Sequence, residues 1–144
     1  MFAHEEGHDR APGGSSSGAA LAVALGCGPL AMGTDTAGSV RIPAAFNGLV
    51  GYRASRGRYC LQGVFALAPS LDTLGPLALS VADCMALDRV LRGLTDDGHA
   101  NASPAADLRN QVFCTDLSLL DDDRVQAPVR NNLLSSLALL ETRG

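Results

Sequence analysis

Two glycine-framed serine turns, 24 positions apart near the start of this 144-residue chain, constrain the fold more than any other feature. The first is Gly13-Gly14-Ser15-Ser16-Ser17-Gly18. The second is Gly33-Thr34-Asp35-Thr36-Ala37-Gly38-Ser39, followed by Val40-Arg41-Ile42-Pro43-Ala44-Ala45-Phe46. Between them Ala19 to Leu25 has strong helix propensity, with Ser15 to Ser17 as N-cap candidates and Gly26 or Gly28 as the stop. Pro29 blocks further helix, and Leu30-Ala31-Met32 reads as a short buried strand. A helix of about ten residues advances ~15 Å, and a strand of about five residues returns nearly the same distance. If the two run antiparallel, Ser39 comes back beside Ser15. Both serines then lie in glycine-rich backbone beside unpaired N–H donors, which is the geometry of an anion or oxyanion site.

The ordered series resembles the core of the amidase signature family, whose members hydrolyse carboxamides with a Ser–cis-Ser–Lys triad. The likeness continues through Gly48-Leu-Val-Gly-Tyr-Arg53, Gly57-Arg58, Gly63-Val64, Leu67 to Pro76 and Ser80 to Cys84. It implies an α/β fold, a mixed β-sheet flanked by helices, of which this chain carries the central segment. Family members are several times longer, and the motif begins a dozen residues from Met1, so a fragment of a larger domain is expected.

The resemblance assigns roles residue by residue. Ser39 matches the nucleophile, and Ser15 the bridging serine, held in a cis peptide, whose hydroxyl relays a proton to the base. The N–H groups of Thr36, Ala37, Gly38 and Ser39 match the oxyanion hole, where each donor contributes about 3–4 kcal/mol. Ser17 and Ala37 stand where the family usually has glycine. Alanine strains the hole only if its position needs positive φ. Ser39 reads equally well as an N-cap for a helix starting near Val40, with Thr34 and Asp35 stabilising the turn before it and Arg41 as a structural anchor. Asp72-Thr73 resembles an element that supports the site without reacting. Ile42 stands where tRNA-dependent amidotransferase members often carry glutamine, which leans toward a free-standing amidase.

Composition bears most through what is missing. All 11 basic residues are arginine, and the chain contains no lysine. Guanidinium stays protonated at any working pH and cannot serve as a base. The family's lysine lies upstream of the first serine motif, so it is either outside this chain or lost. The net charge of −4, with scattered arginines, argues against nucleic acid. No apolar run is long enough to span a membrane, and residues 1–10 lack the apolar core of a secretory signal. Cys27, Cys60, Cys84 and Cys114 have no metal-ligand spacing and read as reduced, mostly buried thiols of a cytoplasmic protein.

Along the chain, residues 1–12 form a polar lead-in in which His4 and His8 read as solvated tail residues and Glu5-Glu6 has no metal-site spacing. The core spans 13–94, a loop or linker with His99 spans 95–107, and 108–144 continues the same domain as strand then helix. Leu49-Val50 and Tyr59 to Phe65 read as short buried strands joined by the turn Arg53 to Arg58. Ser80-x-x-Asp83 caps a helix through Leu91 with one core-facing apolar stripe, closed by Gly93. Val112-Phe113 reads as a strand centre. Val125, Val129, Leu133, Leu137 and Leu140 mark a last helix, with Pro128 in its first turn and Asp121 to Asp123 at its positive end.

The function expected is an amidase acting through an acyl-enzyme on Ser39, with no cofactor or metal and a small-molecule amide as substrate. Two alternatives stand beside it: an inactive truncated fragment, and a component like the A-type subunit of a tRNA-dependent amidotransferase. Oligomeric state is left open.

Overall fold

The computed structural model describes residues 10–94, 112 and 114–143. His4, His8, Glu5-Glu6, His99 with the 95–107 loop, and Phe113 lie outside the described residues. The chain divides into two compact units, Met1–Asp97 and Gly98–Gly144.

The first unit runs α1 (Ser17–Ala24), β1 (Leu30–Asp35), α2 (Arg41–Phe46), β2 (Val50–Gly51), β3 (Thr73–Ala78) and α3 (Val81–Leu91). Its sheet has the order β1-β3-β2, and both pairings are antiparallel. Side chains alternate across β3. Leu77 joins Ala20, Val40 and Ala44 in one cluster, while Leu74 joins Ala54 and Tyr59 with Leu91 of α3 in another. So α1 and α2 cover one face of the sheet and α3 the other.

The helix ends follow local chemistry. Beyond α1, Gly26 N–H bonds the Val23 carbonyl at 3.0 Å and Cys27 N–H bonds Ala22 at 2.8 Å, a Schellman closure. The same pattern ends α3, from Gly93 to Val90 and Leu94 to Arg89. At its start Ser80 Oγ accepts from Asp83 N–H at 3.2 Å and donates to Asp83 Oδ2 at 2.6 Å. Ser80→Ala is expected to lower stability by about 1 kcal/mol, read as a shifted urea midpoint with unchanged slope.

Several expectations need correction. β1 is an edge strand, and Leu30 and Met32 are 37% and 48% exposed instead of buried. The central strand is β3, every residue of it buried, although glycine and proline at its centre disfavour a strand by local propensity. Tyr59 to Phe65 forms no strand. Turns close at Arg58 to Ser55 and Val64 to Leu61, and Tyr59 is drawn to α3 by a 2.6 Å bond from its hydroxyl to Asp88. The α3 stripe is narrower than expected: Cys84 is buried, Leu87 and Leu91 half-buried, and Val81, Met85 and Val90 exposed. Cys27, Cys60 and Cys114 are exposed free thiols because they fall in turns and irregular backbone; Cys84 alone of the four is buried.

Pro76 also sets where β2 ends. Gly51 pairs with Leu77, so Tyr52 stands opposite Pro76. Tyr52 N–H bonds the Pro76 carbonyl at 3.1 Å, but proline has no N–H to return the bond, and the ladder stops.

In the second unit a short 3₁₀ turn, Leu117–Asp121, precedes α4 (Ala127–Arg143), with Pro128 in the first turn. Val112 is irregular and 89% exposed, so no strand centre forms at that residue. Asp122 pairs with Arg124 at 2.5 Å ahead of the helix. Among the described residues no helix is long and apolar enough to cross a membrane.

Candidate active site

The two serine turns can settle onto the sheet because Gly33 and Gly75 pair across it on the face they occupy. A Cβ on Gly33 would stand 2.8 Å from that of Ser16 and 3.1 Å from Val40 Cγ2. A Cβ on Gly75 would stand 3.1 Å from Val40 Cγ1 and run into the Tyr52 carbonyl oxygen. The missing side chains leave room for backbone (the usual reason for glycine within a strand).

In that space Ser16 N–H donates to the Ser39 carbonyl at 3.1 Å, which lays the first turn against the second. The Gly14–Ser15 peptide is cis. Ser15 is exposed and Ser39 half-buried, and neither hydroxyl makes a hydrogen bond among the described residues. The capping expectation for these serines changes. Ser16 is the N-cap of α1, but its hydroxyl reaches the Thr34 carbonyl at 3.4 Å instead of capping. The N-cap of α2 is Val40, not Ser39.

Asp35 holds the second turn in shape. Fully buried at the end of β1, it accepts Gly38 N–H at 2.7 Å, Val40 N–H at 3.3 Å and Arg41 N–H at 3.4 Å. Arg41 adds a two-pronged pairing at 2.9 and 3.1 Å. Arg53 brings its Nε to 3.3 Å, a charge contact without hydrogen-bond alignment, and donates from Nη2 to the Leu71 carbonyl at 2.9 Å. Burial by itself would raise the pKa of this carboxyl. The Arg41 hydrogen bond and the N–H groups of Gly38 and Val40 outweigh it and bring the pKa from 3.8 to about 2.

This fixes the hydrogen-bond standing of the turn. The Gly38 N–H points at Asp35 and is not free, whereas those of Thr36, Ala37 and Ser39 have no acceptor among the described residues. Ala37 is not at positive φ; Gly38, at φ 120°, takes the left-handed conformation. Alanine at position 37 therefore brings no backbone strain.

The Thr36 hydroxyl donates to Asp72 Oδ1 at 2.5 Å, and Asp72 Oδ2 accepts Leu67 and Ala68 N–H, each at 2.8 Å. Above this pair is a small depression lined by Thr36, Val64, Phe65, Leu67, Asp72 and their neighbours. Arg53 and the Thr36–Asp72 bond escape a reading of the sequence. Arg53 falls in a run of arginines that looks like a solvated turn, and no local spacing links positions 36 and 72.

A family model described as Amidase matches residues 7–144. Among curated proteins, the A-type subunit of the glutamyl-tRNA(Gln) amidotransferase of Symbiobacterium thermophilum is 49% identical over 100 residues, which cover 68% of this chain and 20% of that protein. The protein of the same name from Zymomonas mobilis is 52% identical over 91 residues, covering 62% and 18%. Among solved structures, an amidase is 54% identical with a TM-score of 0.56, covering 57% of this chain and 19% of the other. The peptide amidase PAM, solved with the competitive inhibitor chymostatin, is 40% identical with a TM-score of 0.55, covering 66% and 20%. The chain spans about a fifth of the length of these relatives.

Proposed function

Because this chain belongs to the amidase family, we propose that it is the nucleophile-bearing segment of an enzyme that hydrolyses carboxamides. The observation that carries the reading is the 3.1 Å bond from Ser16 to Ser39, which sets the two turns together beside uncommitted N–H groups. Ser39 Oγ attacks the amide carbon and its proton passes to Ser15 Oγ, whose own proton passes to a base. Collapse of the tetrahedral intermediate breaks the C–N bond, the amine leaves with a proton, and an ester remains on Ser39. Water then attacks that ester, releases the acid and restores the hydroxyl.

The oxyanion rests on the N–H groups of Thr36, Ala37 and Ser39. Gly38, expected among them, serves by tying the turn to Asp35. The family's lysine is not in these 144 residues, since every Lys or Arg position is arginine, which cannot act as a base. Assayed by itself, the chain is therefore expected to turn over no amide. We place the protein in the cytoplasm, where four unpaired thiols fit a reducing environment.

The test is intact-mass and peptide mass spectrometry of the protein, at the full length its gene encodes, quenched during turnover of a simple carboxamide. An acyl adduct on the peptide containing Ser39 is expected. An adduct on another residue, or product formed with no adduct and no exchange to hydroxylamine, would refute the assignment.

A second reading is favoured by the amidotransferase proteins at 49% and 52% identity. In it the same acyl-enzyme forms and is cleaved by water, and the ammonia released from the amide goes to a partner's substrate instead of into solution. Ile42 leans away from this reading, but the identities offset that lean. Amide hydrolysis that speeds up when partner proteins and glutamyl-tRNA are added would select it; hydrolysis indifferent to both selects the free-standing amidase.

A further inference from the structure

The Thr36 hydroxyl has no part in the chemistry just described, yet it makes the shortest polar contact in the second turn, 2.5 Å to Asp72. Asp72 belongs to a different segment, 36 positions on, and its other oxygen gathers the N–H groups of Leu67 and Ala68 at 2.8 Å. One carboxylate thus joins the side chain of Thr36 to the start of the segment 67–72. The side chains just before that join, Phe65 at 98% and Leu67 at 81% exposure, line the depression against Thr36. Arg53 makes a parallel link, contacting Asp35 with one nitrogen and Leu71 with another.

We propose that Asp72 and the Thr36 hydroxyl form a positioning clasp that fixes the Thr36 N–H in the oxyanion hole and ties it to the segment that lines the depression beside Thr36. The inference rests on the amide-hydrolase reading. It makes Thr36 a residue whose side chain matters although only its backbone meets the substrate. An oxyanion donor works when it is already aimed before charge develops. A rotation of the Thr36 peptide toward solvent is what the clasp opposes. A hydroxyl bonded to a carboxylate whose other oxygen is itself held by two N–H groups has little freedom to follow such a rotation.

The clasp has a signature independent of turnover. The Thr36 hydrogen bond is the largest cause lowering the Asp72 pKa, ahead of the bonds from Ala68 and Leu67. Thr36→Val, which keeps the shape and removes the hydroxyl, is expected to raise the Asp72 pKa in an NMR titration; Thr36→Ser is expected to leave it low. The second readout is the rate at which Ser39 is labelled by a fluorophosphonate, whose phosphoryl oxygen occupies the oxyanion hole. At the full length the gene encodes, Thr36→Val is expected to slow labelling about tenfold or more, and Thr36→Ser to stay within about twofold of the parent. For amide substrates the loss falls on kcat with KM little changed.

Thr36→Val that leaves the labelling rate unchanged overturns the clasp, whether or not Asp72 titrates differently. An equal slowing by Thr36→Ser overturns it as well, because the hydroxyl would then be irrelevant. Failure of the underlying reading looks different: the label would miss Ser39 altogether in the parent protein.

Discussion

Asp35→Ala is expected to destabilise the protein by about 3–5 kcal/mol, the range for breaking a buried ion pair by removing one partner. Arg41 keeps access to water, its side chain being 52% exposed, so much of its charge can be resolvated. The greater part of the loss comes from the N–H groups of Gly38 and Val40 and from Arg53, which is 29% exposed. Asp35→Asn is expected to fail in the same direction, because the amide nitrogen would face donors on either side. Urea denaturation checks both variants, and a midpoint equal to the parent's would show the carboxylate to be dispensable. Acid gives an independent test. The folded pKa of about 2 lies below the ordinary 3.8, so the contribution of Asp35 is complete above about pH 4 and disappears as pH falls toward 2. Stability of the parent should drop through that window, and the drop should shrink in Asp35→Asn.

Ser39→Ala should reduce amide turnover at least about 10⁴-fold at the full length the gene encodes, the scale seen when a nucleophile is removed from a serine hydrolase. Folding should survive, since the Ser39 hydroxyl makes no hydrogen bond among the described residues and the carbonyl that receives Ser16 remains. A thermal melt within about 2 °C of the parent, together with lost turnover, is the expected pair of results. Turnover within tenfold of the parent would end the nucleophile assignment.

Local chemistry was the most legible part of this chain. The capping box at Ser80 and the glycine stops after α1 and α3 each depend on residues within a few positions of one another. The expectation that α1 and a return strand bring the serine turns together also needs only lengths and rises. Pairings between distant segments were not legible. β3 carries glycine and proline at its centre, which local strand propensity disfavours; its strand identity comes from having β1 and β2 on either side. Tyr59 to Phe65 has the residues of a strand, but it pairs with no strand, and Tyr59 and Arg58 are drawn to Asp88 instead. In the site, Asp35 and Arg41 were readable as turn support because they sit six positions apart. Gly38 was misread as a free donor because nothing in the sequence says which way an N–H points. Arg53 and Asp72 reach the turn only through the tertiary fold.

The early end of β2 has a consequence beyond the sheet. Had position 76 carried an amide hydrogen, the ladder would continue and hold the chain after Tyr52 flat along its neighbour. A proline ring releases it one residue before Arg53, and the backbone can veer toward the buried carboxylate below the serine turns. What looks like a flaw in one strand is the junction through which the second cation is delivered to Asp35, the carboxylate that shapes the second serine turn.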